Sequence, residues 1–257
     1  MPAAAVLAQS PQTLKGARVD QLRTMTVVIP IGPEERAWRL LTHDLKSLPP
    51  QAEVLFVATQ PQTRLDGEFF ADTAPRFRWE WIVADRPGRP FQLNEGARHA
   101  TGRFLWFLHA DTRVSPQALG ALAANLSQFP DHLHFFPLRF QDGPWLMPLT
   151  EWGTKFRSEI LGIPFGDQGF CLRRSTFTEL GGFPLDVSRG EDHSFLWKAR
   201  TKGIQLSVVP CSIHTSGRRY KEYGWLRTTG ENTYLTWKVA LPELLRQSPL
   251  SRDPNAP

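Results

Sequence analysis

Short, mostly apolar runs recur along the first half of the chain, separated by longer stretches with helical spacing. Met25 to Ile31 (MTVVIPI), Glu53 to Ala58 (EVLFVA), Trp79 to Ala84 (WEWIVA) and Phe104 to Ala110 (FLWFLHA) have the length of strands buried on both faces, and are too short to cross a membrane. After a turn at Gly32 and Pro33, Trp38, Leu41 and Leu45 fall at helical spacing. A loop from Asp85 runs into a helix carrying Gln92, Asn94 and Ala97, which Gly102 ends. Strands alternating with helices predict an α/β domain built on a parallel sheet with right-handed crossovers.

A helix from Ser115 to about Phe129 follows, with Pro116 in its first turn. Beyond it the pattern is less regular: His132 to Phe140 is strand-like, and Leu149 to Leu161 fits an amphipathic helix. In Gly162 to Arg174 (GIPFGDQGFCLRR), two glycines flank Asp167 and Gln168 and allow close backbone approach to a ligand. Ser175 starts a short helix that stops at Gly181 and Gly182; a further helix is expected from Glu191 to Lys202. Gln205 to Pro210 reads as the last strand, His214 to Arg219 as a polar loop, and Tyr220 to Arg246 as helical, with Trp225, Leu226, Tyr234, Leu235 and Trp237 along it. The expected organisation is a flexible segment over 1–23, a domain over 24–219, a helical extension over 220–248 and a flexible tail over 249–257.

Composition narrows the partners. A hydrophobic share of 41% suffices for one ordinary core, and 30 basic residues mixed among 25 acidic ones give a net charge of only +5. That bias suits phosphates or an anionic membrane surface, but no long basic run marks a nucleic-acid binder. Cys171 and Cys211 stand far apart with no metal-type spacing and read as core thiols in a reducing compartment. Nowhere do 18 apolar residues run together, and the N-terminus lacks a leader pattern, so a cytoplasmic protein is expected. The aromatic, basic C-terminal helix could rest on the inner face of the membrane, although such positions more often pack on the body of a protein.

The chemistry-bearing feature is the acid that ends the run at Phe104 to Ala110. In an open α/β sheet the crevice beyond the carboxyl ends of the strands holds the ligand, so Asp111 is well placed for a metal or a sugar hydroxyl. The plain alternative is that Asp111 caps the helix beginning near Ser115.

Across Thr24 to Arg219 the order of motifs resembles glycosyltransferase family 2, whose members are nucleotide-sugar enzymes with a GT-A fold. The resemblance rests on VVIPIGPEE, the GRPFQLNEGARHATG helix, FLHADT, the GDQGFCLRR and GGFP pair, and the GED of Gly190 to Asp192. Within the family it is closest to a bacterial subgroup of arsenosugar-biosynthesis-type transferases, in which LHADT and GDQG recur. The resemblance implies a GT-A-like, Rossmann-like, mostly parallel sheet flanked by helices, with a C-terminal helical extension. It implies an inverting transfer from a nucleoside diphosphate sugar to a small-molecule or lipid-linked hydroxyl acceptor, assisted by a divalent cation, Mn²⁺ or Mg²⁺. By the same resemblance Asp192 is the catalytic base with Glu191 beside it, and Asp111, His109 and His214 are candidate metal ligands. His109 stands where the family's motif has an acid, which departs from the pattern. Pro30 and Glu34 match the first-strand PxxxE near the nucleotide, and Asn94 lies in the second motif. Ala58 and Thr59 occupy the place of an acid that commonly contacts the base, so nucleotide identity stays open.

Some assignments follow from the side chains themselves. Arg86 and Arg89 could pair with the diphosphate, and Arg218 and Arg219 could close over it, because guanidinium forks match phosphate oxygens. Asp167 and Gln168 could bind sugar hydroxyls or else satisfy a tight turn. Asp192 and Glu191 would in any case favour a helix N-terminus. Two rivals remain: a sugar-phosphate nucleotidyltransferase, for which IGPEER lacks the glycine-rich basic loop, and a degenerate, non-catalytic sugar-nucleotide or partner-binding protein.

Overall fold

The computed structural model describes residues 20–186 and 190–247. Its strands are β1 (Met25–Ile31), β2 (Glu53–Ala58), β3 (Arg78–Val83), β4 (Phe104–Phe107), β5 (Leu133–Phe135), β6 (Leu138–Phe140), β7 (Cys171–Arg173), β8 (Leu206–Val208) and β9 (Ile213–Thr215). Its helices are α1 (Trp38–Asp44), α2 (Arg64–Thr73), α3 (Arg89–His99), α4 (Pro116–Gln128), α5 (Met147–Lys155), α6 (Arg174–Glu179), α7 (Glu191–Thr201), α8 (Arg218–Tyr223) and α9 (Trp225–Gln247). Most of the expected flexible ends lie outside the described residues; within them, 20–23 form a helical turn that buries Leu22.

Seven strands form one sheet in the order β3-β2-β1-β4-β7-β5-β8. The first four are parallel, as the alternation of elements predicts. The sheet is mostly parallel, as the resemblance implies: β7 alone enters antiparallel, between β4 and β5. Pro137 interrupts the strand-like stretch His132 to Phe140, so β5 joins the large sheet while β6 pairs with β9 in a second one. The strand from Gln205 is therefore not the last, and His214 lies within β9 rather than in a loop. The amphipathic helix expected over 149–161 begins at Met147, and a π-helical turn at Phe156–Ile160 finishes it.

Both faces of the sheet are covered, which is why its inner strands read as unbroken apolar runs. One core layer gathers Val27, Ile29, Phe56, Trp106 and the apolar stripes of α1 and α4. The other gathers Val28, Leu55, Leu105, Phe107, Phe170 and Phe195. Trp38 of α1 is 1% exposed and meets the rings of Phe56, Phe69, Phe70 and Trp81 at centroid distances of 5.4, 5.1, 5.3 and 5.5 Å. Trp38→Ala leaves a cavity that these rings cannot refill, and is expected to cost about 3–5 kcal/mol in denaturant titration. A loss below about 1 kcal/mol would show that the cluster collapses onto the gap.

Helix α3 is drawn tightly onto the sheet. A Cβ at Gly96 would lie 2.4 Å from Val28 Cγ1, so only glycine lets the backbone approach this closely. Four residues earlier, the buried Gln92 amide donates to Ile31 O (2.8 Å) and Val57 O (2.6 Å), tying the helix to the carboxyl ends of β1 and β2. Strand order reverses between β1, which continues to β2 and β3, and β4, which continues to β7. The crevice at that switch point lies below the first turn of α3.

Candidate active site

The turn that carries Asp111 is held from three sides. Leu108 N–H donates to Val28 O (3.1 Å), and Thr112 N–H closes the turn on His109 O (3.0 Å). Arg113 grips Asp44 of α1 through two hydrogen bonds (2.6 and 2.9 Å), and its backbone pairs with that of His214 (2.7 and 3.1 Å). Ser115 Oγ accepts from Ala118 N–H and caps α4, so the capping role that Asp111 could have filled belongs to Ser115. Burial, with the negative charge of Glu35 adding to it, raises the proton affinity of the Asp111 carboxyl, while Arg218 and Arg89 pull it down. Glu35 also stands 3.5 Å from Arg218 Nη2.

Asp192 sits in the first turn of α7, entered through Gly190 in the left-handed region (φ 86°). Its Oδ2 accepts from Gly166 N–H (2.7 Å) and its Oδ1 from His193 N–H (2.9 Å). Burial opposes its charge, yet His193, the Gly166 N–H, Arg89 and the His193 N–H outweigh burial and hold the carboxyl below its ordinary value. Glu191 is buried and pairs with Arg89 at 3.4 Å. His109, Arg89, Glu191 and Asp192 line one cavity walled by Phe107 and Phe170. Burial, reinforced by Arg89 and opposed by Asp192, pushes the His109 imidazole down to about 3, so it is neutral at physiological pH.

The GDQG turn completes this wall. Gln168 is fully buried and committed to scaffolding: its Nε2 donates to Phe136 O (2.8 Å), and its Oε1 accepts from Phe165 N–H (3.1 Å) and Arg157 (3.4 Å). Of the two alternatives for this turn, Gln168 takes the structural one. Asp167 differs, because its Oδ1 is buried without a hydrogen-bond partner among the described residues. Burial, with Arg157 opposing and Asp192 adding, raises the Asp167 carboxyl to about 6. The folded chain therefore binds this proton more tightly than the unfolded chain, where it titrates near 3.8. Its contribution to stability is complete below that value and is lost as pH climbs through about 6. The melting temperature of Asp167→Asn, relative to the wild type, is expected to rise between about pH 4 and pH 7. A difference that stays flat over that range would mean the carboxyl titrates as in the unfolded chain.

The remaining sequence candidates scatter. Arg218, exposed at the head of α8, reaches Glu35, whereas Arg219 turns to Glu231 (3.7 Å). Arg86 is exposed, 6.0 Å from the Phe91 ring centroid. The Asn94 amide brackets the Phe183 backbone (2.8 and 2.9 Å), so it positions the GGFP turn. Pro30 is half-buried in β1, and Glu34 is exposed with φ 59°. Its neighbour Glu35, which the motif spacing passes over, is the acid that faces Asp111. His214 points into a separate cavity of about 490 Å³ with Ser115, Arg139, Glu151 and Cys211, which does not include Asp111 or His109. Both cysteines are free. Arg157, which the sequence did not single out, lies on the π-helical turn with its guanidinium 3.2 Å from the Phe165 ring centroid, and interacts with Asp167 and Asp192.

Among the described residues, no three His, Cys, Asp or Glu side chains group as a metal cage. Mg²⁺ and its analogues are commonly held by one or two carboxylates with substrate phosphates and water completing the shell. Asp111, whose proton affinity is raised by burial and then by the neighbouring carboxylate of Glu35, suits such a half-site. His109 and His214 do not point into it together.

A mostly parallel sheet flanked by helices, with one acid beyond β4 and another at the head of α7, has the architecture of the GT-A glycosyltransferases. Solved structures share it. TarS of S. aureus, residues 1–349, matches with a TM-score of 0.60 at 17% identity over 75% of this chain and 60% of that one. The same protein in complex with UDP-GlcNAc matches at 0.57 and 17%, covering 75% and 58%. The mannosyltransferase PcManGT of Pyrobaculum calidifontis, in complex with GDP-Man and Mn²⁺, matches at 0.57 and 20%, covering 75% and 56%. The chain thus spans less than two thirds of the length of each. The model of glycosyl transferase family 2 matches residues 27–182, more than half of the 257, and the chain belongs to that family. Asp111 falls inside the matched region and Asp192 beyond it.

Proposed function

We propose that the protein is an inverting glycosyltransferase that moves a sugar from a nucleoside diphosphate donor to a hydroxyl acceptor. The observation that carries the reading is the convergence of Asp111, Arg89 and Asp192 on the crevice at the sheet's switch point, in a chain of family 2. The acceptor hydroxyl attacks the anomeric carbon, the bond from that carbon to the diphosphate oxygen breaks, and the hydroxyl proton passes to the Asp192 carboxylate. Two backbone N–H groups orient that carboxylate, and the charges of His193 and Arg89 help them hold it ionised against burial. Glu191 aims Arg89, and Arg89 with Arg218 supplies fixed positive charge for the diphosphate. Asp111, together with diphosphate oxygens, would hold Mn²⁺ or Mg²⁺, which supplies further neutralisation of the leaving group. His109, neutral and enclosed beside Asp192, shapes the floor of the site.

The solved mannosyltransferase complexed with GDP-Man and Mn²⁺ and the TarS complex with UDP-GlcNAc support a sugar-nucleotide donor and a metal here. Within the family, the arsenosugar-biosynthesis-type subgroup is our reading on the resemblance of LHADT and GDQG alone. The test is calorimetric titration of the protein with UDP-, GDP-, dTDP- and ADP-sugars, each with Mn²⁺, Mg²⁺ or EDTA. Metal-dependent binding of one donor is expected. Binding of none would point to the degenerate, non-catalytic alternative.

A further inference from the structure

The sharpest departure from an ordinary protein surface lies on α5. Leu149, Trp152, Phe156 and Ile160 recur every three or four residues and so share one side of the helix and of the π-helical turn that continues it, and Trp145 stands in the turn just before the helix. All five are exposed, Trp145 to 86%, Trp152 to 66% and Ile160 to 70%. An amphipathic helix normally turns such a stripe inward, yet of α5 only Met147 is buried. Contiguous exposed apolar surface of this kind marks a docking face.

The face extends onto α9. Trp225 Nε1–H donates to Thr150 Oγ1 (2.8 Å) and seats the start of α9 on α5. Leu226 then stands 79% exposed beside that joint, and Tyr234 and Trp237 are exposed further along α9.

Composition, charge and position together select the occupant. Exposed Trp and Tyr beside aliphatic side chains match the headgroup level of a bilayer, where a ring can be apolar at one end and wet at the other. Lys155 between Trp152 and Phe156, and Lys238 beside Trp237, are exposed and make no ion pair among the described residues, which suits anionic headgroups. The stripe also runs beside the crevice: next to Phe156, Arg157 covers Phe165 with its guanidinium and interacts with Asp167 and Asp192. A hydroxyl carried on a lipid lying against α5 would arrive on the side of Asp192.

We infer that α5 and the first half of α9 form a face that docks on an anionic bilayer, and that the acceptor is lipid-linked. The docking stands on the surface alone; the acceptor rests on the transferase reading given above.

The test floats the full-length protein with vesicles of phosphatidylcholine, with and without phosphatidylglycerol. Binding to the anionic vesicles is expected, and the double variant Trp145→Glu, Trp152→Glu should lower the bound fraction roughly tenfold or more. Both side chains are exposed, so the variant's melting temperature should match that of the wild type, which separates lost docking from lost folding. Equal flotation of variant and wild type, or flotation of neither, overturns the inference. So does a wild-type dimer in sedimentation that the variant abolishes without any vesicle binding, because the face would then belong to a second copy. Donor titration of both proteins in solution separates the two halves: donor binding in neither, with flotation lost only in the variant, overturns the acceptor and supports the docking.

Discussion

Asp192→Asn is expected to lower sugar transfer by roughly 10²–10⁴-fold, the usual worth of a positioned acid–base group. The amide oxygen can still accept from Gly166 N–H, so the GDQG turn should keep its place and donor affinity should change little. What is lost is the ability to take a proton from the acceptor. The substitution therefore separates catalysis from the helix-dipole role that any acid in the first turn of α7 would play, since that role affects stability alone. Rates with a labelled donor, alongside the donor Kd and the melting temperature, make the distinction. Transfer at the wild-type rate would remove Asp192 from the role of base.

Asp111→Ala is expected to abolish the metal dependence of donor binding and to lower kcat/KM by roughly 10²–10³-fold. In the wild type, EDTA should weaken donor binding; in the variant, donor affinity should be low and indifferent to Mn²⁺, Mg²⁺ or EDTA. Glu35 would then face Arg218 without a carboxylate competing for it, so the fold should tolerate the change. A wild-type protein that binds donor equally with and without metal would mean that Arg89 and Arg218 neutralise the diphosphate by themselves.

Much of the fold was legible because burial on both faces leaves a plain signature. MTVVIPI, EVLFVA and FLWFLHA are apolar because helices cover both sides of β1, β2 and β4, and the structure places these strands within a few residues of the expected limits. The second half was harder to read. Strands of three residues such as β5, β6, β7 and β9 are shorter than any period they could display, and their pairing is set by which edge is open when the chain returns. The antiparallel entry of β7 and the placement of His214 in a strand belong to that class.

The site divides in the same way. Asp111 and Asp192 were visible because each is an acid at the end of an element that announces itself, a buried strand and a helix entered through glycine. Arg157 was not, because it becomes part of the site only when the π-helical turn after α5 folds back against the GDQG loop. Gln168 looked like a ligand residue and proved to be a strut, because only the packed loop shows that its amide already has partners. At the first strand the motif spacing selects Glu34, which is exposed with a left-handed backbone, and it passes over Glu35, whose charge acts on Asp111. By itself the amino-acid sequence determined the order of elements, the core-facing strands and the two acids at their ends, since these depend on local periodicity and position along the chain. Tertiary structure alone decided which charges meet, because the proton affinities of Asp111 and Asp167 and the pairing of Glu191 with Arg89 depend on burial and on distances between segments far apart in the chain.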